Sequence, residues 1–319
     1  MLIFFSVLVV ALGARIGAGY LGWRADGPLD HSVAFIVPEG ANLTTVSDKL
    51  RDIGAITSPK QFRLRARILG GNTAIKAGEY ELPARASESA ILSLLTGNDT
   101  LNRFVMVPEG MPSIMVYDRL EAQPLLSGPV SIPAEGSILP NSYAFERGEP
   151  RQAVVKRMQA AMQQTLAALW AGRKGDCPVT TPQQALTLAS IVEKETGKAA
   201  ERRLVAGVYC NRLKIGMKLD ADPTVIYPIT HGKPLGRRIR RSELDAITGY
   251  NTYREPGLPA GPIANPGKLS IAAVLDPAPT KALYFVADGS GGHVFADTLA
   301  EHNANVAKWF ALRRAKGEM

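Results

Sequence analysis

Thr181 to Gly197 reads TPQQALTLASIVEKETG. The spacing predicts a single helix with a carboxylic acid at its far end. Thr181 can cap the start, Pro182 suits the first helical position, and Gln184 completes a capping box. Ala185, Leu188, Ala189 and Val192 recur at helical spacing and form an apolar stripe. Gly197 supplies a stop. Helical offsets separate the two glutamates near the end. Leu188, Ile191 and Val192 precede Glu195 by seven, four and three residues, whereas Leu186, Ala189 and Ser190 stand in those places before Glu193. Glu195 is expected in the greasier position, where desolvation raises a carboxyl pKa. It also lies nearer the negative end of the helix dipole. Both effects keep a proton on the group near neutral pH, as a general acid requires. From this helix alone, a solvated end with two surface glutamates is the commoner case, because structural carboxylates outnumber catalytic ones.

Downstream, Ala199 to Leu213 is expected to be a second helix, amphipathic at Leu204, Val205, Val208, Tyr209 and Leu213. LDADPTVIY follows on a loop and a short helix or strand, then a basic loop from His231 to Arg241. Tyr250 to Gly267, YNTYREPGLPAGPIANPG, is so dense in Pro and Gly that an ordered, irregular wall is expected. Leu283 to Asp288 and His293 to Phe295 form a hairpin pattern, and Thr298 to Ala315 a final helix.

Upstream, Val33 to Val37 predicts a strand and Pro38 to Gly40 a turn. Helices are expected over Thr44–Ile53, Lys60–Leu69 and Ser87–Leu95, with a returning strand over Ala77–Leu82. The V-P-E-G of Val37 to Gly40 recurs at Val107 to Gly110, so a strand–turn–helix unit is repeated from Phe104. Glu135 to Tyr143 is expected to be a turn-rich loop, and Arg151 to Ala171 a long helix.

The N-terminal run MLIFFSVLVVALGARIGAGYLGW matches the ~20 apolar residues that span a bilayer, although Arg15 interrupts it. A retained anchor over 1–23 is expected, with a polar linker over 24–32 and the bulk of the chain outside the cytoplasm. A cleaved signal peptide is the competitor, but no clean small-x-small site precedes a polar start. The chain has 319 residues, enough for two or three domains, and a net charge of +8 that favours an anionic partner. Two cysteines, Cys177 and Cys210, can pair or stay free. With His31, His231, His293 and His302 they show no ligand spacing, so no metal or other cofactor is expected. Arg237, Arg238, Arg240 and Arg241 lack the aromatic or groove-reading partners of a nucleic-acid site. A solvated loop, or contact with anionic lipid or acidic peptide, suits them better, and no nucleic acid is expected.

ASIVEKET, NRL, DPTVIY, YNTY, GLPAGPIANPG, LYFVADGSGGHVF and EHN occur in that order. Together they make the chain resemble the endolytic murein transglycosylase family, also called YceG-like, over nearly its whole length. The resemblance implies an α+β fold with an N-terminal transmembrane helix, a LysM-like module over 33–98, a second strand–helix module with connecting helices over 99–180, and a catalytic domain over 181–319. It implies a single-pass enzyme of the cell (inner) membrane facing the periplasm or cell exterior, acting on peptidoglycan glycan strands, held to membrane lipid through residues 1–23, with peptidoglycan synthases as further partners. The family's reaction cleaves the N-acetylmuramic acid–N-acetylglucosamine bond and leaves a 1,6-anhydro end, which terminates glycan elongation.

One glutamic acid suffices for that chemistry. The family's catalytic Glu matches Glu195. Asp222 and Thr224 of D-P-T, and Tyr250, Asn251, Thr252 and Tyr253 of YNTY, match positions expected to contact substrate. Glu193, His302 and Asn303 are expected to be structural neighbours of the site, with Glu193 bonded to the NRL helix. This chain departs from the family at Asp220, where Gln is usual. Asp220 could serve as a second carboxylate and favour attack by water, or replace a polar contact. A rival of another class is an inert glycan-binding anchor for cell-wall synthesis enzymes.

Overall fold

The computed structural model describes residue 13 and residues 17–71, 74–97, 100–101 and 103–317. The predicted anchor over 1–23 falls mainly outside them. Residues 17–24 are helical, and no helix among the described residues is long and apolar enough to cross a membrane. The chain divides into two compact units, Met1–Arg103 and Phe104–Met319, so 104–180 and 181–319 share one unit.

In the first unit, β1 (Val33–Val37) leads through α1 (Leu43–Asp52) and α2 (Pro59–Leu69) to β2 (Gly78–Leu82), then to α3 (Glu88–Thr96). β2 pairs antiparallel with β1, Phe35 opposite Tyr80. Asn42, Ser58 and Ser87 each accept a backbone N–H at the start of the helix that follows. Phe35, Val46, Leu50, Phe62, Tyr80 and Ile91 close one buried core.

The second unit takes up the repeated pattern. β3 (Arg103–Val107) runs through a turn into α4 (Ser113–Glu121). Both turns end on a glycine with positive φ, +71° at Gly40 and +72° at Gly110, a conformation that residues with a Cβ seldom adopt. α4 lacks a side-chain cap of its own. Glu135, from the 135–143 segment, accepts from the Ser113 N–H at 3.0 Å instead. That segment is not all loop: β4 (Asn141–Phe145) pairs with β3, and Tyr143 and Phe145 alternate into the core beside Val105 and Val107. α5 (Arg151–Ala171) follows with the predicted bounds.

α6 (Pro182–Glu195), α7 (Arg202–Lys214), α8 (Asp222–Thr230) and the short α9 (Arg241–Leu244) come next. α10 (Lys268–Leu275) was not anticipated, because KLSIAAVL lies just beyond the Pro/Gly-rich wall and is too short to show a helical period. The β5 (Tyr284–Ala287) and β6 (His293–Ala296) hairpin is antiparallel, and α11 (Leu299–Ala315) ends the chain with Thr298 and Glu301 as a capping box.

α6 is the centre of this unit. α5, α7, α8 and α10 all pack on it. The predicted stripe is buried, but so are Leu186, Thr187, Ser190 and Ile191, so the helix is covered on nearly every side. Its core hydroxyl is satisfied: Ser190 donates to Thr187 O at 2.7 Å and accepts from the Ile263 N–H at 3.0 Å. Cys177 and Cys210 form a disulfide that ties the approach to α6 onto α7.

Candidate active site

Glu195 is the last residue of α6. Thr196 is already extended, so the helix stops before Gly197. The Glu195 carboxyl is half-buried and hemmed in by protein. Burial is the main force on it and raises its pKa. The Tyr209 hydroxyl, from α7, hydrogen-bonds the carboxylate and pulls the pKa down, the nearby Asp222 charge pushes it up, and Arg212 pulls it down again. The balance is a pKa pushed up to about 7. A carboxyl so poised can give a proton and take one back at neutral pH.

The groups around Glu195 are themselves held. Tyr209 is buried, with its ring edge-on to Phe285 at 5.8 Å. Arg212, one turn later on α7, is buried and donates to Leu219 O and Leu283 O, each at 2.6 Å. The Tyr253 hydroxyl donates to Asp222 Oδ1 at 2.8 Å, and its ionisation is suppressed by burial first and then by Asp222, Asp220 and Glu195. Asp220 lies 3.8 Å from Arg212 in an ion pair and has φ +49°. Burial raises its pKa against the pull of Arg212 and Lys218. Three carboxylates, two phenols and one arginine thus share a locality. A cleft of about 460 Å³ is lined by Met111, Met115, Lys194, Pro223, Ile226 and Leu235 and by none of these six groups.

Of the residues singled out in the sequence, Asp222 and Tyr253 adjoin Glu195. Thr224, Asn251 and Thr252 turn inward. The Thr224 hydroxyl donates to Ala221 O at 2.6 Å and meets the Thr252 hydroxyl at 2.9 Å, while Thr252 Oγ1 accepts from the Ala221 N–H at 3.1 Å. Asn251 Nδ2 donates to the carbonyls of Leu244 and Ala246. These three are buried, and the bonds they make brace the D-P-T turn against the YNTY wall. Tyr250 is half-buried, its ring 4.9 Å from that of Tyr227. His302 stacks on Tyr284 at 5.1 Å, and burial and Arg212 keep it neutral by lowering its pKa. Asn303 is exposed.

Glu193 does bond to the NRL helix, as expected: Arg202 of α7 donates to it at 3.2 Å. Desolvation does raise the Glu195 pKa, as its neighbours on α6 suggest. The Glu193 side chain is also buried, at 4% exposed. Helix offsets count only neighbours on α6, whereas α7 and Gly267 cover Glu193 from outside it.

Tyr209 and Arg212 were not anticipated as part of this neighbourhood. The available signal was an arginine one turn beyond a tyrosine on the buried stripe of α7. Glu135 accepts from Ser113 and from the Tyr227 hydroxyl, with burial raising its pKa. In the basic run, Arg237 pairs with Glu243 and Arg241 with Asp245. Among the described residues there is no cluster of metal-ligating side chains.

Residues 35–308 match the YceG-like family. The chain belongs to that family. A crystal structure of a YceG-like protein from Listeria monocytogenes is 25% identical, with a TM-score of 0.55 over 86% of this chain and 98% of that one. The endolytic murein transglycosylase of Bacillus subtilis is 29% identical over 88% of this chain and 85% of its own length. The protein of that name from Streptococcus pneumoniae is 28% identical over 94% of this chain and 64% of its own length. Being YceG-like and mixed α+β are therefore settled for this chain.

Proposed function

We propose that this chain cuts peptidoglycan glycan strands internally, at the N-acetylmuramic acid–N-acetylglucosamine bond, with Glu195 as the single acid and base. The observation that carries this is the Glu195 carboxyl poised near pH 7 between Tyr209, Arg212 and Asp222. The names of its relatives in Bacillus and Streptococcus support the substrate class.

In the first half of the reaction Glu195 protonates the glycosidic oxygen, and the bond from that oxygen to the muramic C1 breaks. Tyr209 and Arg212 then stabilise the carboxylate that remains, and Asp222 adds negative charge near the cationic sugar. In the second half the sugar's 6-hydroxyl attacks C1, Glu195 takes the hydroxyl proton, and a 1,6-anhydro ring closes. The acid is regenerated and no water is consumed.

A second reading has its own support. Asp220 stands where Gln is usual in the family, and it lies beside Arg212 and Tyr253 with a raised pKa. As a general base it would direct water to C1 and make the enzyme a hydrolase, the two-carboxylate pattern of most glycosidases. Mass analysis of products from uncrosslinked glycan strands separates the two, because hydrolysis adds a water that the anhydro product lacks. Anhydro ends support lytic transglycosylation, reducing ends support Asp220, and no product from wild type supports the inert-anchor alternative.

The same reading makes residues 1–23 a membrane anchor with the catalytic unit outside the cytoplasm, in reach of peptidoglycan synthases. The Cys177–Cys210 disulfide supports that side of the membrane, since such bonds persist in oxidising compartments. The strand–helix–helix–strand order of 33–82 supports a LysM-like glycan-binding module there.

Tyr209→Phe removes the hydrogen bond that lowers the Glu195 pKa. The alkaline limb of the pH–rate profile should move to higher pH, and the rate at the optimum should fall about tenfold, as expected for one hydrogen bond of ~1.5 kcal/mol to a charged group. An unmoved limb would show that Glu195 is not the titrating group.

A further inference from the structure

The outer face of α2 has no part in the chemistry above. The helix reads PKQFRLRARIL and contains no acid. Phe62 and Ala66 point into the core of the first unit. Arg63 turns to Asp48 at 3.4 Å and Arg65 to Glu88 at 2.8 Å. That leaves Lys60, Leu64, Arg67 and Ile68 on the side away from Phe62. Leu64 is 59% exposed and Ile68 69% exposed, one turn apart. Lys60 and Arg67 are exposed, and neither makes an ion pair among the described residues.

The helical residues 17–24 lie against α2. Trp23 packs on Phe62 with ring centroids 6.0 Å apart, and a Cβ at Gly22 would lie 2.6 Å from Arg65 Nη2. Leu21, on the same short helix, is 71% exposed. The chain before it is the apolar run of the sequence. Two bare aliphatic side chains flanked by two unpaired cations are poorly matched to water and well matched to the boundary of an anionic bilayer. Continuity with the apolar N-terminal run selects lipid over a protein partner.

We propose that the outer face of α2 rests on the anionic membrane surface, with Leu64 and Ile68 entering the headgroup–acyl boundary and Lys60 and Arg67 against lipid phosphates. This rests on the anchor reading of residues 1–23. The contact fixes how the first unit stands on the bilayer, where an anchor alone leaves it free to swing.

The test uses the full chain reconstituted in vesicles of phosphatidylcholine and phosphatidylglycerol. A bimane fluorophore is attached at Leu64→Cys or, as a control, at Glu81→Cys, an exposed position on β2. Quenching by a lipid carrying a shallow nitroxide should be about threefold or more stronger at 64 than at 81. It should fall to the control level when Lys60→Glu and Arg67→Glu accompany the label. Equal quenching at both positions in chain that stays with the vesicles overturns the α2 contact and spares the anchor. Loss of the chain from the vesicles on an alkaline wash overturns the anchor reading, and the α2 contact with it.

Discussion

On the proposed reading, Glu195→Gln should lower strand cleavage by about 10²–10⁴-fold or more, and at the same time stabilise the protein at alkaline pH. Gln keeps the shape and can still accept the Tyr209 hydrogen bond, but it carries no proton to give. The stability arm follows from linkage. The Glu195 pKa rises from the ordinary 4.5 to about 7 on folding, so the folded state binds the proton more tightly than the unfolded chain. Below pH 4.5 the carboxyl is protonated in both states and contributes nothing. Between 4.5 and about 7 a penalty grows as pH rises, and above about 7 it is complete. The substitution should therefore leave stability unchanged at pH 4 and raise it by up to ~3 kcal/mol at pH 8, at ~1.4 kcal/mol per pKa unit. Denaturant titrations at the two pH values check this beside a turnover assay. A gain of equal size at both would mean that the carboxyl is not desolvated in the native protein, and retained turnover would remove it from the reaction.

That penalty is a cost carried at the proposed acid, and it was largely legible in the sequence. TPQQALTLASIVEKET states its own cap, period and terminus: Thr181 accepts the Gln184 N–H, although Gln184 turns back to the Thr180 N–H and not to that of Thr181, so the capping box is left half made. The wall of YNTY and GLPAGPIANPG was legible as irregular because Pro and Gly leave few regular conformations open. What the sequence withheld was inter-element contact. Nothing local to Thr252 says that its hydroxyl meets Thr224, or that Asn251 spends its amide on the carbonyls after α9. Nothing in a helix wheel of α7 distinguishes Tyr209 as packing from Tyr209 as a hydrogen-bond partner, because the ring does one and the hydroxyl the other. The Cys177–Cys210 pair was equally silent, since two cysteines permit a bond without requiring it. Glu193 is the sharpest case. Its neighbours on α6 are less apolar than those of Glu195, yet its burial comes from elements far along the chain.

Arg202→Met should destabilise the fold by about 3–5 kcal/mol, through that same residue. Arg202 Nη2 donates to Glu193 Oε1 at 3.2 Å and to Glu109 Oε2 at 2.8 Å, with the arginine side chain 9% exposed. Glu193 Oε2 accepts from the Gly267 N–H at 2.8 Å, at the start of α10. One carboxylate therefore joins α6, α7 and α10, and Glu109 brings in the turn before α4. A side chain at Gly267 would displace Glu109, since a Cβ would lie 2.1 Å from Glu109 Oε1. Removing Arg202 leaves Glu193 a buried anion with a single backbone donor, and that unpaired charge is the source of the loss rather than the missing attraction itself. The double substitution Arg202→Met with Glu193→Leu should recover most of it, because no stranded charge remains. Equilibrium denaturation of the two singles and the double measures the coupling directly. A single Arg202→Met within about 1 kcal/mol of wild type, or a double no better than it, would mean that packing and not charge pairing holds these elements. Turnover separates the roles further. Glu193 and Glu195 share the last turn of α6, so a recovered double variant should still turn over slowly, its acid carried on a helix end no longer pinned to α10.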